Sequence, residues 1–424
     1  MQRVTLHKAA RVNGDGDYVL YWMMAYRRRH FNFALERAAF WATELRKPLL
    51  IIEPLACNYP WASHRIHAFV IDGMRDNQRN FGNSPATYIP VVETEPGHLR
   101  KIFRQLESRA CLIVTDDYPA FEVPRWISAI VSSSRIAVEV VDSNGILPMR
   151  EAPRLFKTAA SFRRYMQNTT QAAVPLPDPL EGIELPKLRT VPFLQPTLTV
   201  PPTLDRTMGV VRGSRGGRSE AGRRLQAFLS GGGESSGLSP YLHFGHISSH
   251  EICRAIQRSG RGDRTRFLDQ LTTWRELGFN MCVMAENYDR YDSLPEWARR
   301  TLQKHSRDER PILYTLDQLE NAATHDDVWN SAQASLLTEG HIQNRLRMLW
   351  GKKILEWSPS PEEALHRMIH LNNKYALDGR DPNSYNGIFW ILGRYDRPWG
   401  PERPIFGLVR YMSSRNTARK LRTR

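Results

Sequence analysis

The sequence predicts two joined architectures: an α/β N-terminal domain built on a doubly wound parallel sheet (Rossmann-like), and an all-α C-terminal domain. Three observations carry this expectation. Short apolar runs alternate with helically spaced segments over the first ~150 residues. Eight prolines crowd between Pro175 and Pro202, where neither helix nor central strand can form. From about Met208 onward, nearly every apolar segment repeats at helical spacing. The expected boundaries are 1–170 for the α/β domain, 171–206 for an extended proline-rich linker across the surface, and 207–424 for the helical domain.

Taken in order, YVLYWMM (Tyr18 to Met24) reads as a buried strand and FNFALERAAFWATELRK as an amphipathic helix. PLLIIEPL is apolar throughout, the pattern of a parallel strand covered on both faces. GHLRKIFRQLES reads as helix, ACLIVTDD as strand, VPRWISAIVSSS as helix and IAVEVVDSN as strand. Two of these strands end in Asp116, Asp117 and Asp142, at the carboxyl edge where such sheets bind ligands. No glycine-rich fingerprint follows the first strand, so a dinucleotide site there has no support. In the second half the helical patterns are SEAGRRLQAFLS, SSHEICRAIQRS, RFLDQLTTWRELGFNMCVMAE, PEWARRTLQKHS, TLDQLENAA, VWNSAQASLLTEG, NRLRMLWGKKILEW and PEEALHRMIHLNNKY.

Composition bounds the function. The 424 residues are too many for one core, and no apolar run approaches the ~20 residues of a membrane helix. The N-terminus lacks the apolar core of a signal peptide. Cys57, Cys111, Cys253 and Cys282 have no metal-ligand spacing and read as reduced thiols. A cytoplasmic protein is expected, with no obligate protein partner and a monomeric state. The formal net charge of +15 and a pI near 9.8 favour a polyanionic partner, nucleic acid before membrane. The tail from Arg410 to Arg424 adds six basic residues and no acidic one.

Gly233 to Ile252, GESSGLSPYLHFGHISSHEI, is a hydroxyl-rich and glycine-rich loop feeding a helix. Ser235, Ser236 and Ser239, with the backbone N–H groups around Gly237 and Leu238, are suited to hold phosphate. Within this loop, LSPYLHFGHIS resembles the flavin-phosphate loop of the photolyase/cryptochrome family, in its class II branch. TWREL (Thr273 to Leu277), PEWARRTLQKH, THDDVWNSAQ, RMLWGKKILEW, LDGRDPNSYNGIFW (Leu377 to Trp390), RPWGPERPIFG and VRYM follow in the family's order. YWM and LIVTDDYP carry the likeness more thinly into the N-terminal half. The resemblance implies non-covalent FAD, a second antenna chromophore of unspecified identity at most, UV-damaged DNA as partner, and light-driven splitting of cyclobutane pyrimidine dimers. The alternatives it leaves open are a cryptochrome-type sensor without repair, a different lesion specificity, and a flavin-free nucleic-acid-binding protein on the same scaffold.

The resemblance also assigns residues. Trp350 and Trp357, seven apart on one helix, and Trp329, 21 before Trp350, match an electron relay to the flavin, with Trp350 innermost. Asn372 matches an asparagine facing the flavin N5, where a carboxamide can both donate and accept. Arg347 with Asp378 or Asp381 resembles an ion pair beside the flavin. Glu276 matches an acid that hydrogen-bonds the lesion, and donating that bond requires a proton retained through burial. Met348 and Trp390 match apolar walls for flipped bases, and Arg394, Arg397, Arg403 and the basic tail are the candidates to grip phosphates. One departure stands out: Ile342-Gln343-Asn344 replaces the usual Met-His-Gly. No histidine pair of the kind expected for (6-4) photoproducts is then present, which favours cyclobutane dimers.

Overall fold

The computed structural model describes residues 3–8, 11–169, 173–188, 191, 194–231, 235–259 and 265–422. In chain order the first elements are β1 (Val4–Lys8), β2 (Tyr18–Trp22), α1 (Phe33–Leu45), β3 (Leu49–Leu55), α2 (His64–Phe81), β4 (Thr87–Val92), α3 (His98–Glu107), β5 (Ala110–Asp116), α4 (Val123–Ser133) and β6 (Val138–Val141). They form a six-stranded sheet of order β1-β6-β5-β2-β3-β4. All pairings are parallel except that of β1 with β6 at one edge, so the sheet is mostly, not wholly, parallel. Every residue of β2, β3 and β5 is buried, as expected for strands covered on both faces. Pro90 sits in β4, the opposite edge, where a missing N–H is tolerated.

The acidic residues at the carboxyl edge are not open to a ligand. Asp116 Oδ1 accepts from the Tyr21 hydroxyl at 2.7 Å, and its Oδ2 accepts the Ala25 and Tyr26 N–H groups at 2.7 and 3.0 Å. Asp117 pairs bidentately with Arg150, and Asp142 accepts the Asn144 and Met149 N–H groups. These carboxylates fold the loops after the strands back onto the sheet, which corrects the ligand-site expectation.

The remaining elements are α5 (Ala159–Asn168), α6 (Arg218–Leu229), α7 (Ser239–His243), α8 (Ser249–Arg258), α9 (Thr265–Asp269), a π-turn (Gln270–Trp274) running into α10 (Arg275–Met284), then α11 (Glu296–Lys304), α12 (Leu316–Glu320), α13 (Asp327–Glu339), α14 (Asn344–Glu356), α15 (Pro361–Tyr375), α16 (Pro382–Ile391) and α17 (Ser414–Arg422). Packing divides the chain into two units. Met1–Glu151 joins Thr169–Thr272, and Ala152–Asn168 joins Thr273–Arg424. This division differs from one at 171–206. The proline-rich stretch buries Leu180, Val191 and Leu194 in the cores of the sheet unit, so it wraps that unit instead of crossing open surface. Among its described residues it forms no helix, and its pairing is limited to single parallel bridges, Thr197 with Val91 of β4 and Asp205 with Ser63.

In the sheet unit, α6 and the loop before α8 are fastened to the sheet's own helices. The Ser219 N–H and hydroxyl donate to Asp76 on α2, and Gly217 N–H donates to His246 Nδ1 at 3.0 Å. Gly245, at φ 71°, has no room for a side chain: a Cβ would lie 2.1 Å from the Ala25 carbonyl oxygen. In the helical unit, α5 and the segment before it place Ala152, Phe156, Ala159 and Phe162 against Leu277 of α10. Gly278 lets α10 approach α16 so closely that a Cβ would sit 2.7 Å from the Pro382 carbonyl oxygen. Gly351 does the same for α14, with Ile391 and Met368 in the space.

Candidate active site

The helical unit brings together the three tryptophans that the sequence offered as a relay. Asp326 caps α13 by accepting the Trp329 N–H at 3.1 Å, which fixes the first turn that carries this indole. Trp329 is wholly buried, and its Nε1–H donates to the Trp350 carbonyl at 2.9 Å. Trp350, on α14, donates its own Nε1–H to Gln333 Oε1 on α13 at 2.9 Å. Trp357 is the C-cap of α14 and meets Trp329 edge-on, ring centroids 5.6 Å apart and planes at 72°. Both indole N–H groups of the inner pair are satisfied in a buried setting. The stated contacts run from Trp350 to Trp329 to Trp357, so Trp329 is the middle member.

Asn372, on α15, is buried, and its Nδ2 donates to Ser384 Oγ at 2.6 Å. Its neighbour Asn373 holds the following turn, accepting the Arg380 N–H at 2.9 Å while donating to the Tyr385 hydroxyl. Arg347 Nη2 lies 3.5 Å from Asp378 Oδ2. Asp381 instead caps α16, accepting the Asn383 N–H at 2.8 Å. The choice between the two acids as the ion-pair partner thus falls on Asp378. On α16, Asn386 donates to the Trp274 carbonyl, while its Oδ1 is buried without a partner. That acceptor suits a donor group on a bound ligand.

Trp390, at the end of α16, stacks on Trp274 with centroids 4.4 Å apart and planes within 11°. Both indoles are half-buried. Trp274 stands inside the TWREL motif, and its aromatic character just ahead of Glu276 was the signal by which the sequence could have shown it. Glu276 is buried, with Arg275 Nη1 3.2 Å from its Oε1. The two groups form a buried ion pair within the TWREL motif. Met348 is half-buried on α14.

The three candidate phosphate-gripping arginines separate. Arg394 is buried, its guanidinium donates to the Ser293 carbonyl, and it packs near the Phe389 and Tyr395 rings. Its burial sets it apart from the other two candidates for a phosphate contact. Arg397 and Arg403 are exposed. Arg397 lies 4.2 Å from the Trp399 ring, whose other approach is Arg410 at 4.4 Å, and Arg403 lies 4.9 Å from the Tyr411 ring. In the basic tail, α17 follows directly.

Ser235, Ser236, Gly237, Leu238 and Ser239 lie in the sheet unit. The Gly237 and Leu238 N–H groups donate to the Ser235 and Ser236 hydroxyls, each at 3.4 Å, and Gly237 adopts φ 61°. A Cβ at Gly237 would approach the Arg224 guanidinium to 3.0 Å, so a cation stands beside the hydroxyl loop. Hydroxyls, backbone amides and an arginine are a donor set that fits phosphate. No helix among the described residues is long and apolar enough to cross a membrane.

No protein-family model matches the chain. The chain is similar to proteins named deoxyribodipyrimidine photo-lyase. The one from Methanothermobacter thermautotrophicus is 34% identical over 430 residues, which span 96% of this chain and 93% of that protein. The one from Oryza sativa subsp. japonica is 32% identical over 448 residues, 96% of this chain and 86% of that protein. Among solved structures, a photolyase from Sulfolobus tokodaii with two FAD molecules matches the fold with a TM-score of 0.70, at 14% identity, covering 96% of this chain and 88% of that one.

Proposed function

The chain belongs to the deoxyribodipyrimidine photo-lyase family, and from that premise we propose that it repairs cyclobutane pyrimidine dimers in DNA, using light and non-covalently bound FAD. Reduced FAD, when bound and excited, supplies the single electron that opens the dimer. The observation that carries this reading is the buried path of three indoles in a chain of this family, because an ordinary core does not need three tryptophans in consecutive contact.

The chain's own residues take the following roles. In the sheet unit, Ser235, Ser236, Gly237, Leu238 and Ser239 hold the FAD phosphates, with Arg224 supplying positive charge. In the helical unit, Asn372 presents its carboxamide to the flavin N5, the Arg347–Asp378 pair lies beside the ring, and Asp381 holds the start of α16 in place. The unpartnered Asn386 Oδ1 supports a ligand donor in this unit. Trp350, Trp329 and Trp357 pass electrons inward to regenerate the reduced state. Trp390 with Trp274, and Met348, give the flipped pyrimidines flat apolar surfaces. Glu276 hydrogen-bonds the lesion, a role that rests on the resemblance and on its burial. Arg397, Arg403 and the basic tail hold flanking phosphates, so affinity falls as salt rises.

The experiment is direct. Purified protein is examined for the near-UV and blue absorption of a flavin, then incubated with dimer-containing oligonucleotide in light and in darkness. Flavin absorption with light-dependent loss of dimers supports the reading. A flavin-bearing protein that leaves dimers intact in light would make the chain a sensor, and absence of flavin after reconstitution with FAD would end the proposal.

A further inference from the structure

We propose that the electron path does not end at Trp357 but at Tyr314, with His325 as the base that takes the phenolic proton. The inference rests on the relay proposed above and extends it by one residue and one proton transfer.

Four observations converge. The Tyr314 ring meets Trp357 edge-on with centroids 5.2 Å apart, closer than the 5.6 Å between Trp357 and Trp329. The Tyr314 hydroxyl lies 2.6 Å from His325 Nδ1, a short hydrogen bond. The same oxygen accepts the His325 backbone N–H at 2.9 Å, so the phenol's own proton is left to point at the imidazole. His325 also contacts Trp357, at 5.4 Å between centroids, and is exposed to solvent, whereas Trp357 is buried. The arrangement is held from several sides. Tyr314 N–H donates to the Trp357 carbonyl, Arg367 donates to the Tyr314 carbonyl at 2.7 Å, and Asp326, next to His325, caps α13.

The chemistry balances. An electron withdrawn inward leaves Trp357 as a radical cation. Tyr314 gives one electron to Trp357, restoring the neutral indole, and gives its O–H proton to His325 Nδ1. The products are a neutral tyrosyl radical and an imidazolium, and the exposed imidazolium returns its proton to water. A tyrosine without a base would have to lose its electron as a cation, so the geometry at His325 decides whether the step runs. The consequence is separation: the oxidised site moves from a buried indole to the surface, where an external reductant can reach it, and the return of the electron is slowed.

The test uses the full-length flavin-bound protein in three forms: wild type, Tyr314→Phe and His325→Gln. A flash excites the flavin, and the protein radical is identified by transient absorption and by electron paramagnetic resonance. The wild type is expected to convert a tryptophan radical into a neutral tyrosyl radical, more slowly in deuterated water. Both variants are expected to lose the tyrosyl signal and to keep the tryptophan radical longer. A parallel arm oxidises the same proteins with a ruthenium polypyridyl photo-oxidant, which does not depend on the flavin. If the wild type forms a tryptophan radical whose decay is the same in all three proteins, this proposal is overturned while the relay stands. If the flash yields no tryptophan radical at all, the relay itself fails. In that case the ruthenium arm still decides between tyrosyl formation at Tyr314, which supports the pair as an oxidation site, and its absence, which removes the proposal.

Discussion

Trp274 and Trp390 lie face to face, 4.4 Å between ring centroids and within 11° of parallel, although they stand on different helices. Two half-buried indoles in that arrangement leave aromatic faces and edges to which an extruded base can be added. Stacking of a base on an aromatic side chain contributes about 1–3 kcal/mol. Trp390→Ala is therefore expected to weaken binding of dimer-containing DNA in the dark by roughly tenfold or more, with undamaged DNA little affected. Fluorescence anisotropy with the two oligonucleotides measures the difference. An equal loss for both would mean that the pair supports general DNA binding and not the lesion.

A second expectation separates two arginines that the sequence could not tell apart. Arg397 is exposed, so Arg397→Ala should lower DNA affinity and reduce the slope of log K against log salt by about one, the signature of one lost phosphate contact. Arg394 is buried and donates to the Ser293 carbonyl, so Arg394→Ala should lower stability and leave the salt slope of the folded fraction unchanged. Salt titrations and denaturation curves of both variants check the assignment. A changed slope for Arg394→Ala would return that residue to the DNA surface.

What could be read in advance, and what could not, follows from the physics of each element. β2, β3 and β5 were legible because strands buried on both faces are continuous apolar runs. α2 escaped notice because it buries Arg65, His67, Asp76 and Asn77, which break the apolar stripe that marks a helix. β4 carries a proline and β1 is a short antiparallel edge, neither of which has a strong periodic signal. The three tryptophans were singled out by the resemblance, which Trp350 in α14 and Trp357 at its C-cap carry at a seven-residue spacing. Burial of Arg394 was not legible, since the same residue type serves a surface and a core. Tyr314 and His325 lie on separate segments, and only folding brings the hydroxyl to the imidazole.

Gly278 gives a test of how tightly the site is held. A methyl group there would meet the backbone of Pro382 and Asn383 at 2.7 to 3.0 Å, and backbone cannot swing aside. Gly278→Ala is expected to cost about 1–3 kcal/mol, as overpacking usually does. It should also displace α16, and with it Trp390 and Asp381. Chemical denaturation should show the lower midpoint, and repair of dimers should fall even in the fraction that remains folded. Unchanged stability and repair would show that α10 and α16 have slack at this crossing.

Lys352 predicts a pH dependence. It is wholly buried, donates to the Ile391 carbonyl at the end of α16, and burial lowers its ammonium from 10.5 to about 7, with Asp396 opposing the shift and Arg410 adding to it. Between about 7 and 10.5 the unfolded chain holds this proton and the folded chain has released it. The unfolded state then binds more protons, so this lysine makes stability rise with pH across that window. Lys352→Met removes the contribution. The stability of the wild type relative to the variant is expected to increase from neutral to alkaline pH, read from denaturant midpoints at several pH values. Parallel curves would show that the lysine keeps its proton when buried.

Trp329 is the position at which the electron path can be cut with least ambiguity. Its indole touches both neighbours, through the N–H to the Trp350 carbonyl and edge-on against Trp357. Phenylalanine retains an aromatic ring and most of the packing but is far harder to oxidise, and the lost hydrogen bond costs only about 1 kcal/mol. Trp329→Phe should therefore fold and bind flavin. Light-driven reduction of the oxidised flavin should fall sharply, because an electron from Trp357 would have to cross the gap in one step. Repair by enzyme reduced chemically beforehand should be unaffected, since that electron starts at the flavin and does not use the path. The paired measurement separates the roles: photoreduction that proceeds at the wild-type rate in Trp329→Phe would show that electrons reach the flavin by another route, and the three indoles would then be core residues alone.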